Sequence, residues 1–544
     1  MPRKDYAEIV LSLMPRILSS IDRNRLSDTY GCMDKAYWFY KTTDFPCARF
    51  QEPALTFALL YKNKFAGNIY FGNEKIRDYA IAGMKYLAKI QNSDGSFNEW
   101  YPYEHSFCAT TFSTYSASEA YKILSTEIIE KDEFIEMFEK AGKWLLKHDE
   151  EVSNQQAGAI ATLYNLYQIT GMEKFRKGCR EKLSVLREKQ SSEGWFPEYG
   201  GPDFGYLTVL IDFLGKYYKE SRDEGVLDII EPALEFLKYF IHPDGSLGGI
   251  YGSRNTEFKL PHGFEIFSEV NENARFIADS IANNIKATVN PYMMDDRYAF
   301  LYHVSYLQAY LDYKPRKKIN ATLDGIKTFN DSGLFIYNKG YYMVINMKKG
   351  GVFRIFDGKK HVYDDAGFIG KLGNKTVTSQ WNNSSRYEIK DNKIIITGNF
   401  RQVTSKKNLT PSKNVLLRAF LLTAGRSQKV ALFLKKKLRE ELILHAKDVH
   451  IEYMRVIELH EDKVRIVDEL KNPKGLQLDN LFLVKKFQPS YVPTSCFFQY
   501  PDLSSEDGKD YAKDLSEKKE LKIEREIVIS NDKGDAIANS EISE

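Results

Sequence analysis

"QSSEGWFPEYGGPDFGYLTVLIDFLGKYY", residues 190–218, is the stretch on which the fold turns. In its second half Leu207, Leu210, Ile211 and Leu214 recur at i, i+3, i+4 and i+7, one buried stripe of a helix. Its first half has no period and is rich in glycine, acids and rings, so it reads as a loop feeding that helix. Two other stretches rhyme with it: "QNSDGSFNEWYPYEHSF" from Gln91 and "HPDGSLGGIYGSRNTEF" from His242, each between two helical runs. A fourth helix end, "KHDEEVSNQQ" from Lys147, falls between them. Ends that recur every 42 to 57 residues or about that mark repeated helical hairpins. Hairpins that each expose one apolar face must stack, and five or six of them, about ten or eleven helices, curl into a toroid whose loops crowd one mouth.

Outward from this stretch, the helical period runs from residue 1 to about 315. Ile160, Leu163, Tyr164 and Tyr167 form another stripe, with Ser153 or Asn154 as cap and Gly171 as stop. A basic connector, "YKPRKKINATLDG", follows. The pattern then becomes short apolar runs: "GLFIYNKGYYMVINMKKGGVFRIF", "YEIKDNKIIITGNF", "VLLRAFLL" and "DKVRIVDEL". Asn338 to Gly340 suits a tight hairpin and Lys349-Gly350-Gly351 a second turn. The expected fold is multidomain α + β: an (α/α) toroid over 1–315, an antiparallel β-sandwich over 316–500, and a charged, partly ordered segment over 501–544.

The chain has 544 residues, 43% of them hydrophobic, too many for one compact core. Its 77 basic and 74 acidic residues nearly cancel, which excludes a global field for nucleic acid. The cysteines at 32, 47, 108, 179 and 496 are widely spaced, without a disulfide framework or zinc pattern, and no cofactor or metal is called for. No run is long enough to span a membrane, and Asp5 and Glu8 break the apolar start, so a cytoplasmic protein is expected.

The mouth loops carry the chemistry. Trp100, Tyr103, Trp195, Tyr199, Tyr206 and Tyr251 offer flat faces for sugar rings beside acids and amides. The blander reading of the Gln, Asp and Phe positions is that they lock one hairpin to the next. "NQQAGAIATLYNLY", "EGWFPEYGGPDFGY" and, in the second half, "FNDSGLFIYNKGYYMVINMKKGG" with "KKHVYDDAGF" occur in this order. That order resembles the heparinase II/III-like and alginate-lyase-like polysaccharide lyases, over most of residues 50 to 400. The resemblance implies a toroid plus sandwich acting on an acidic poly- or oligosaccharide. It puts Asn154, Tyr206 (or Tyr199), and His361 with Asp364 or Asp365 at the site. Gln155 stands where that family commonly has His, and the tyrosine lies farther from Glu198 than is usual there.

Abstraction of the proton α to a uronate carboxylate needs a neutralised carboxylate, a base and an acid for the leaving oxygen. Asn154 and Gln155 can donate from amides, Arg254 or a protonated His262 can supply charge, and Tyr206 can move the proton. His105 lies in a mouth loop. Arg49 and Glu52, near the aromatic stretch "YGCMDKAYWFYKTTDFPCARFQE" with Asp34 and Asp44, either pair with each other or reach the substrate. The expected reaction is β-elimination or C5 epimerisation in surface-polysaccharide metabolism. Two alternatives stand beside it. One is an inverting hydrolase drawing its carboxylates from Glu99, Glu104, Glu198 and Asp203. The other is a non-catalytic glycan-binding or assembly protein.

Overall fold

The computed structural model describes residues 3–129, 131–291, 296–317, 319, 323–403, 410–427, 429–430, 433–434, 437, 446–486, 509–529 and 538–541. Among these, six helices form a closed inner ring: Pro53–Lys62, Phe107–Ile123, Ser153–Thr170, Phe204–Ser221, His262–Phe267 and Val304–Asp312. Each packs on the next and the last packs on the first. Lys4–Ser20, Glu74–Lys89, Asp132–Leu146, Glu173–Glu188, Leu227–Leu237 and Glu272–Thr288 lie outside, one behind each inner helix.

The two rings differ in sequence because they differ in surroundings. An outer helix has one wet face, so Asp132–Leu146 buries Phe134, Met137, Phe138, Ala141 and Leu145 in one stripe. An inner helix has neighbours on every side, and Phe204–Ser221 is buried without a break from Phe204 to Tyr218. Such crowding needs small residues: a Cβ on Gly263 would stand 2.4 Å from the Ile211 carbonyl oxygen. The rhyming loops join hairpins as the blander reading expected. Gln91 Nε2 donates to the carbonyls of Gly95 and Met137, and Gln190 Nε2 to those of Gly194 and Ile229, each tying a loop to the next outer helix. Asp94 and Asp244 each accept from the amide and hydroxyl of the serine two residues on.

The second half forms two antiparallel sheets. The first is a five-stranded meander: β1 (Gly325–Phe329), β2 (Leu334–Lys339), β3 (Tyr341–Asn346), β4 (Val352–Asp357) and β5 (Lys360–Asp365). Both expected turns are present, with Gly340 at φ 85° and Gly350 at φ 83°. One face of this sheet, with Leu334, Ile336, Tyr342, Val344 and Phe356, joins the toroid's core. The other, with Phe335, Met343, Ile345, Phe353 and Ile355, packs on the second sheet. Lying between two layers, β3 is buried at all six positions, which is why "YYMVIN" reads as an unbroken apolar run.

Among the described residues the second sheet has nine strands, β6 (Phe368–Leu372), β7 (Lys375–Thr378), β8 (Ser385–Lys390), β9 (Lys393–Val403), β10 (Lys447–Leu459), β11 (Lys463–Lys471), β12 (Asn480–Leu483), β13 (Glu520–Val528) and β14 (Ala538–Glu541). Their order is β12-β6-β7-β9-β10-β11-β13-β14, with β8 also paired to β9.

Two expectations about this half are corrected. "VLLRAFLL" is not a strand: it belongs to the helix Pro411–Leu422, which has Pro411 in its first turn and Thr410 accepting from the Lys413 amide. The charged segment after residue 501 is not only a tail. It supplies β13, paired with β11 along its whole length, with Leu521, Ile523, Arg525 and Ile527 buried on alternate positions. Arg525 meets Asp365 at 2.7 Å and Asp468 at 2.5 Å, beside Arg455, which bonds the same two acids.

Candidate active site

The floor of the site forms where the loop 198–203 meets the start of two inner helices. Ser153–Thr170 is capped by no side chain, since Val152 holds the cap position, so Asn154 is not used as the expected N-cap. Its Nδ2 instead donates to Glu198 Oε2 at 3.0 Å. Arg254 NH1 donates to the other oxygen, Oε1, at 3.0 Å. Both residues and the carboxylate are buried. The Arg254 guanidinium lies 4.2 Å from the Tyr206 ring centre and 4.4 Å from that of Tyr199, so it is held between two rings and one acid.

Asp203, itself buried, holds this arrangement together. Its side chain caps Phe204–Ser221 by accepting from the Tyr206 amide at 3.2 Å, and also accepts from the Arg254 amide at 3.0 Å and from Thr256 Oγ1. One carboxylate therefore fixes the tyrosine and the arginine to each other. Burial pushes the Glu198 carboxyl up to about 7, with Asp203 adding to the rise and Arg254 and Asn154 opposing it. Near neutral pH the Arg254 guanidinium thus faces a half-protonated Glu198, with Asp203 also close enough to act on it.

Beyond Tyr206 the wall continues through Phe258, edge-on to Tyr206 at 5.2 Å and stacked on Tyr302 at 5.1 Å. Arg49 and Glu52 are buried and paired at 2.6 Å, the simpler of the two readings. Burial raises the Glu52 carboxyl, against the pull of Arg49. Glu99 is bound by Arg297, whose guanidinium covers the half-exposed Trp100 at 4.0 Å. Tyr103 carries Arg426 at 5.1 Å, and Arg418 reaches Asp44 at 3.0 Å, so the segment after β9 lies against the same rim. Asn382, on the other side, donates to the Tyr199 and Ser253 carbonyls.

Other expected residues lie elsewhere. His262 is at the opposite end of the ring. After Thr256, bonded to the Gly205 amide, the chain descends beside Phe204–Ser221: the Leu260 amide meets Thr208 Oγ1 and the Gly263 amide meets Asp212. His262 ends paired with Asp312 at 2.5 Å, and Asp312 with Lys219 at 2.8 Å. Lys219 is 13 residues past Tyr206 on one helix, about 20 Å along its axis.

Tyr251 is wholly buried, its hydroxyl accepting from the Gly248 amide and facing His242, and it offers no face to a ligand. Trp195 bonds Glu193, which takes the Asp331 and Ser332 amides of the β1–β2 turn, so that half of the loop serves domain docking. His361 is exposed and bonds Asp364, which is held by Arg354, while Asp365 is buried between Arg455 and Arg525. None of the three reaches Arg254 by these bonds. His105 faces Asp94 and Ser96. Gln155 is half-buried, with its amide oxygen unpartnered among the described residues. Glu104 accepts from the Glu99 and Trp100 amides.

Residues 64–261 match the family model of the ulvan lyase N-terminal domain. The chain is polysaccharide lyase-like. The match spans the loops that carry Asn154, Glu198, Tyr206 and Arg254. The chondroitin AC lyase of Streptomyces coelicolor A3, solved in complex with chondroitin sulphate, shares the fold at a TM-score of 0.56 and 9% identity, over 88% of this chain and 68% of that one. A tyrosine-to-alanine variant of the same enzyme aligns at 0.50 with the same identity and coverage. A search of curated proteins finds no match. Among the described residues of this lyase-like chain, no cluster of three or more His, Cys, Asp or Glu could hold a metal ion, and no helix is long and apolar enough to cross a membrane.

Sequence reasoning missed Tyr302, Arg297, Arg426 and Asn382, which line or support the lyase-like mouth. "DDRYAFLYHVSY" did carry a signal, since an arginine and several tyrosines interrupt its apolar period. Asn382 carried none: only the docking of the sheets brings it to residue 199.

Proposed function

We propose that the protein cleaves a uronate-containing polysaccharide by β-elimination, with Tyr206 moving the proton. The observation that carries this is the Arg254 guanidinium 4.2 Å from the Tyr206 ring centre and 3.0 Å from Glu198, itself bonded to Asn154. A uronate bound here places its carboxylate against Arg254, Asn154 and protonated Glu198. These take up the charge that spreads onto the carboxylate oxygens as the C5 proton leaves. The C5–H electrons form the C4–C5 double bond, the C4–O4 bond breaks, and O4 takes a proton. Tyr206 as the phenolate accepts the first proton and as the neutral phenol returns it to O4, and the neighbouring cation stabilises the phenolate before the first step and after the second. The floor is buried, so these charges act with little screening by water.

Hydrolysis finds less support. It needs two carboxylates across the bond. Of the four candidates, Glu99 is bound to Arg297, Glu104 to backbone amides, Asp203 to the helix start and Glu198 to Arg254 and Asn154, so all four are engaged by the protein. The acidic ligand of the chondroitin AC lyase complex is in keeping with an anionic polymer as substrate here. The test is incubation with ulvan, chondroitin sulfate and other uronate polymers, following ultraviolet absorbance of the unsaturated product. Solvent deuterium at C5 in uncleaved polymer would reveal epimerisation. Tyr206→Phe should abolish product formation while the fold and glycan affinity persist. Wild-type turnover by that variant would refute the assignment.

A further inference from the structure

The loop that carries Arg254 has no regular secondary structure, so its backbone polar groups must find partners outside a helix or ladder. Their partition is orderly. On the N–H side, the amides of Arg254 and Thr256 point to Asp203 and that of Ser253 to the Pro202 carbonyl, all in the toroid. On the C=O side, the carbonyls of Gly249 and Thr256 are taken within the loop by the Gly252 and Gly249 amides, and the partners of five others come from the β-sheet domain. Arg354 NH1 takes the Gly248 carbonyl at 3.2 Å, Lys349 Nζ those of Ile250 at 2.8 Å and Gly252 at 2.6 Å. Asn346 Nδ2 takes that of Tyr251 at 2.7 Å, and Asn382 Nδ2 that of Ser253 at 3.2 Å. Lys349 Nζ also meets Asn255 Oδ1 at 2.5 Å. Asn255 sits at φ 55°, a backbone state costly for a side-chain-bearing residue unless its surroundings hold it.

Lys349 is 1% exposed, and all three of its ammonium protons are directed at this one loop. A buried lysine whose three hydrogen bonds all go to neutral oxygens of one segment, with Asp203 acting on it only through space, is poorly explained as a stability element, because a charge taken from water without a bonded counter-ion is unfavourable. It is well explained as a clamp. We propose that Lys349 is a positioning residue, which sets Arg254 over Tyr206 by gripping residues 250–255 from the β-sheet domain, so that the floor is complete only when the two domains are docked. This rests on the reading of Arg254 as the cation of the site.

The experiment uses the full chain with Lys349→Met, Lys349→Gln and the half-buried Asn382→Ala, and Lys348→Met as control. Hydrogen exchange of residues 249–256 is followed together with kcat and KM on the polymer that the wild type cleaves, well below each variant's Tm. Lys349→Met should speed exchange in that loop and lower kcat at least tenfold, with a smaller change in KM. Lys349→Gln, which keeps two donors, should recover part of the kcat, and Asn382→Ala should fall between it and the wild type. Lys348→Met should behave as wild type. If Lys349→Met does not fold, Asn382→Ala and Lys349→Gln carry the test. Native exchange and native kcat in the folded variants would overturn the clamp. A wild type without turnover on any uronate polymer would overturn the proposed reaction instead, and the exchange data would still decide the clamp.

Discussion

The Glu198 carboxyl offers the sharpest test of how the site handles an anionic substrate. It occupies both donors, Asn154 Nδ2 and Arg254 NH1, that a uronate carboxylate would need. When Glu198 is ionised it competes with a substrate carboxylate for the guanidinium, and when protonated it competes less. Burial pushes its titration up to about 7. At pH 6 about nine-tenths of the molecules then carry the proton, and at pH 8 about one-tenth. If the protonated form is the binding form, apparent affinity scales with that fraction. KM should therefore rise roughly tenfold between pH 6 and pH 8, about 1.4 kcal/mol. The sign is fixed by the group: raised above the usual carboxylate range, it favours anion binding on the acid side and loses it as pH climbs past 7. Glu198→Gln is nearly isosteric and cannot ionise, so its KM should stay flat over this range. The assay is initial-rate ultraviolet kinetics at constant ionic strength. A variant that keeps the wild-type slope would show that another group titrates, and the account of Glu198 as a competitor for the carboxylate receptor would fall.

Two further outcomes concern the scaffold. Arg525→Ala should cost about 3–5 kcal/mol in chemical denaturation, because Asp365 and Asp468 would each lose a buried partner, at 2.7 and 2.5 Å, far outside the site. A loss below about 1 kcal/mol would mean that Arg455 alone satisfies both acids. Gly263→Ala should destabilise the toroid by about 1–3 kcal/mol, since its Cβ would stand 2.4 Å from the Ile211 carbonyl oxygen and force two inner helices apart, an effect read as a fall in Tm.

Local rules carried the reading of the toroid a long way. The stripe from Leu207 to Leu214 is buried throughout, Gly171 does end its helix in the left-handed conformation, and the Gln91 and Gln190 loops do lock hairpins together. Each of these depends on partners within one hairpin or its neighbour. Composition misled where it outweighed pattern. Residues 520–528 are dense in charge, yet Leu521, Ile523 and Ile527 alternate as a half-buried strand requires. "VLLRAFLL" failed for the opposite reason, being an apolar run too short for its period to separate strand from helix.

Periodicity and turn residues alone reveal the repeating hairpins, the change of period near residue 315, Arg254 in a glycine-rich connector and Tyr206 just beyond the end of another. Only the tertiary structure decided which end of the ring each connector serves, and which groups are already bound to one another. His262 was expected beside Tyr206 and lies toward the other end of the helix Phe204–Ser221, because the chain runs down along Thr208 and Asp212 before its short helix begins. Helical periodicity assigns a residue to a face. It contains nothing about depth along the ring, which depends on hydrogen bonds between segments some fifty positions apart.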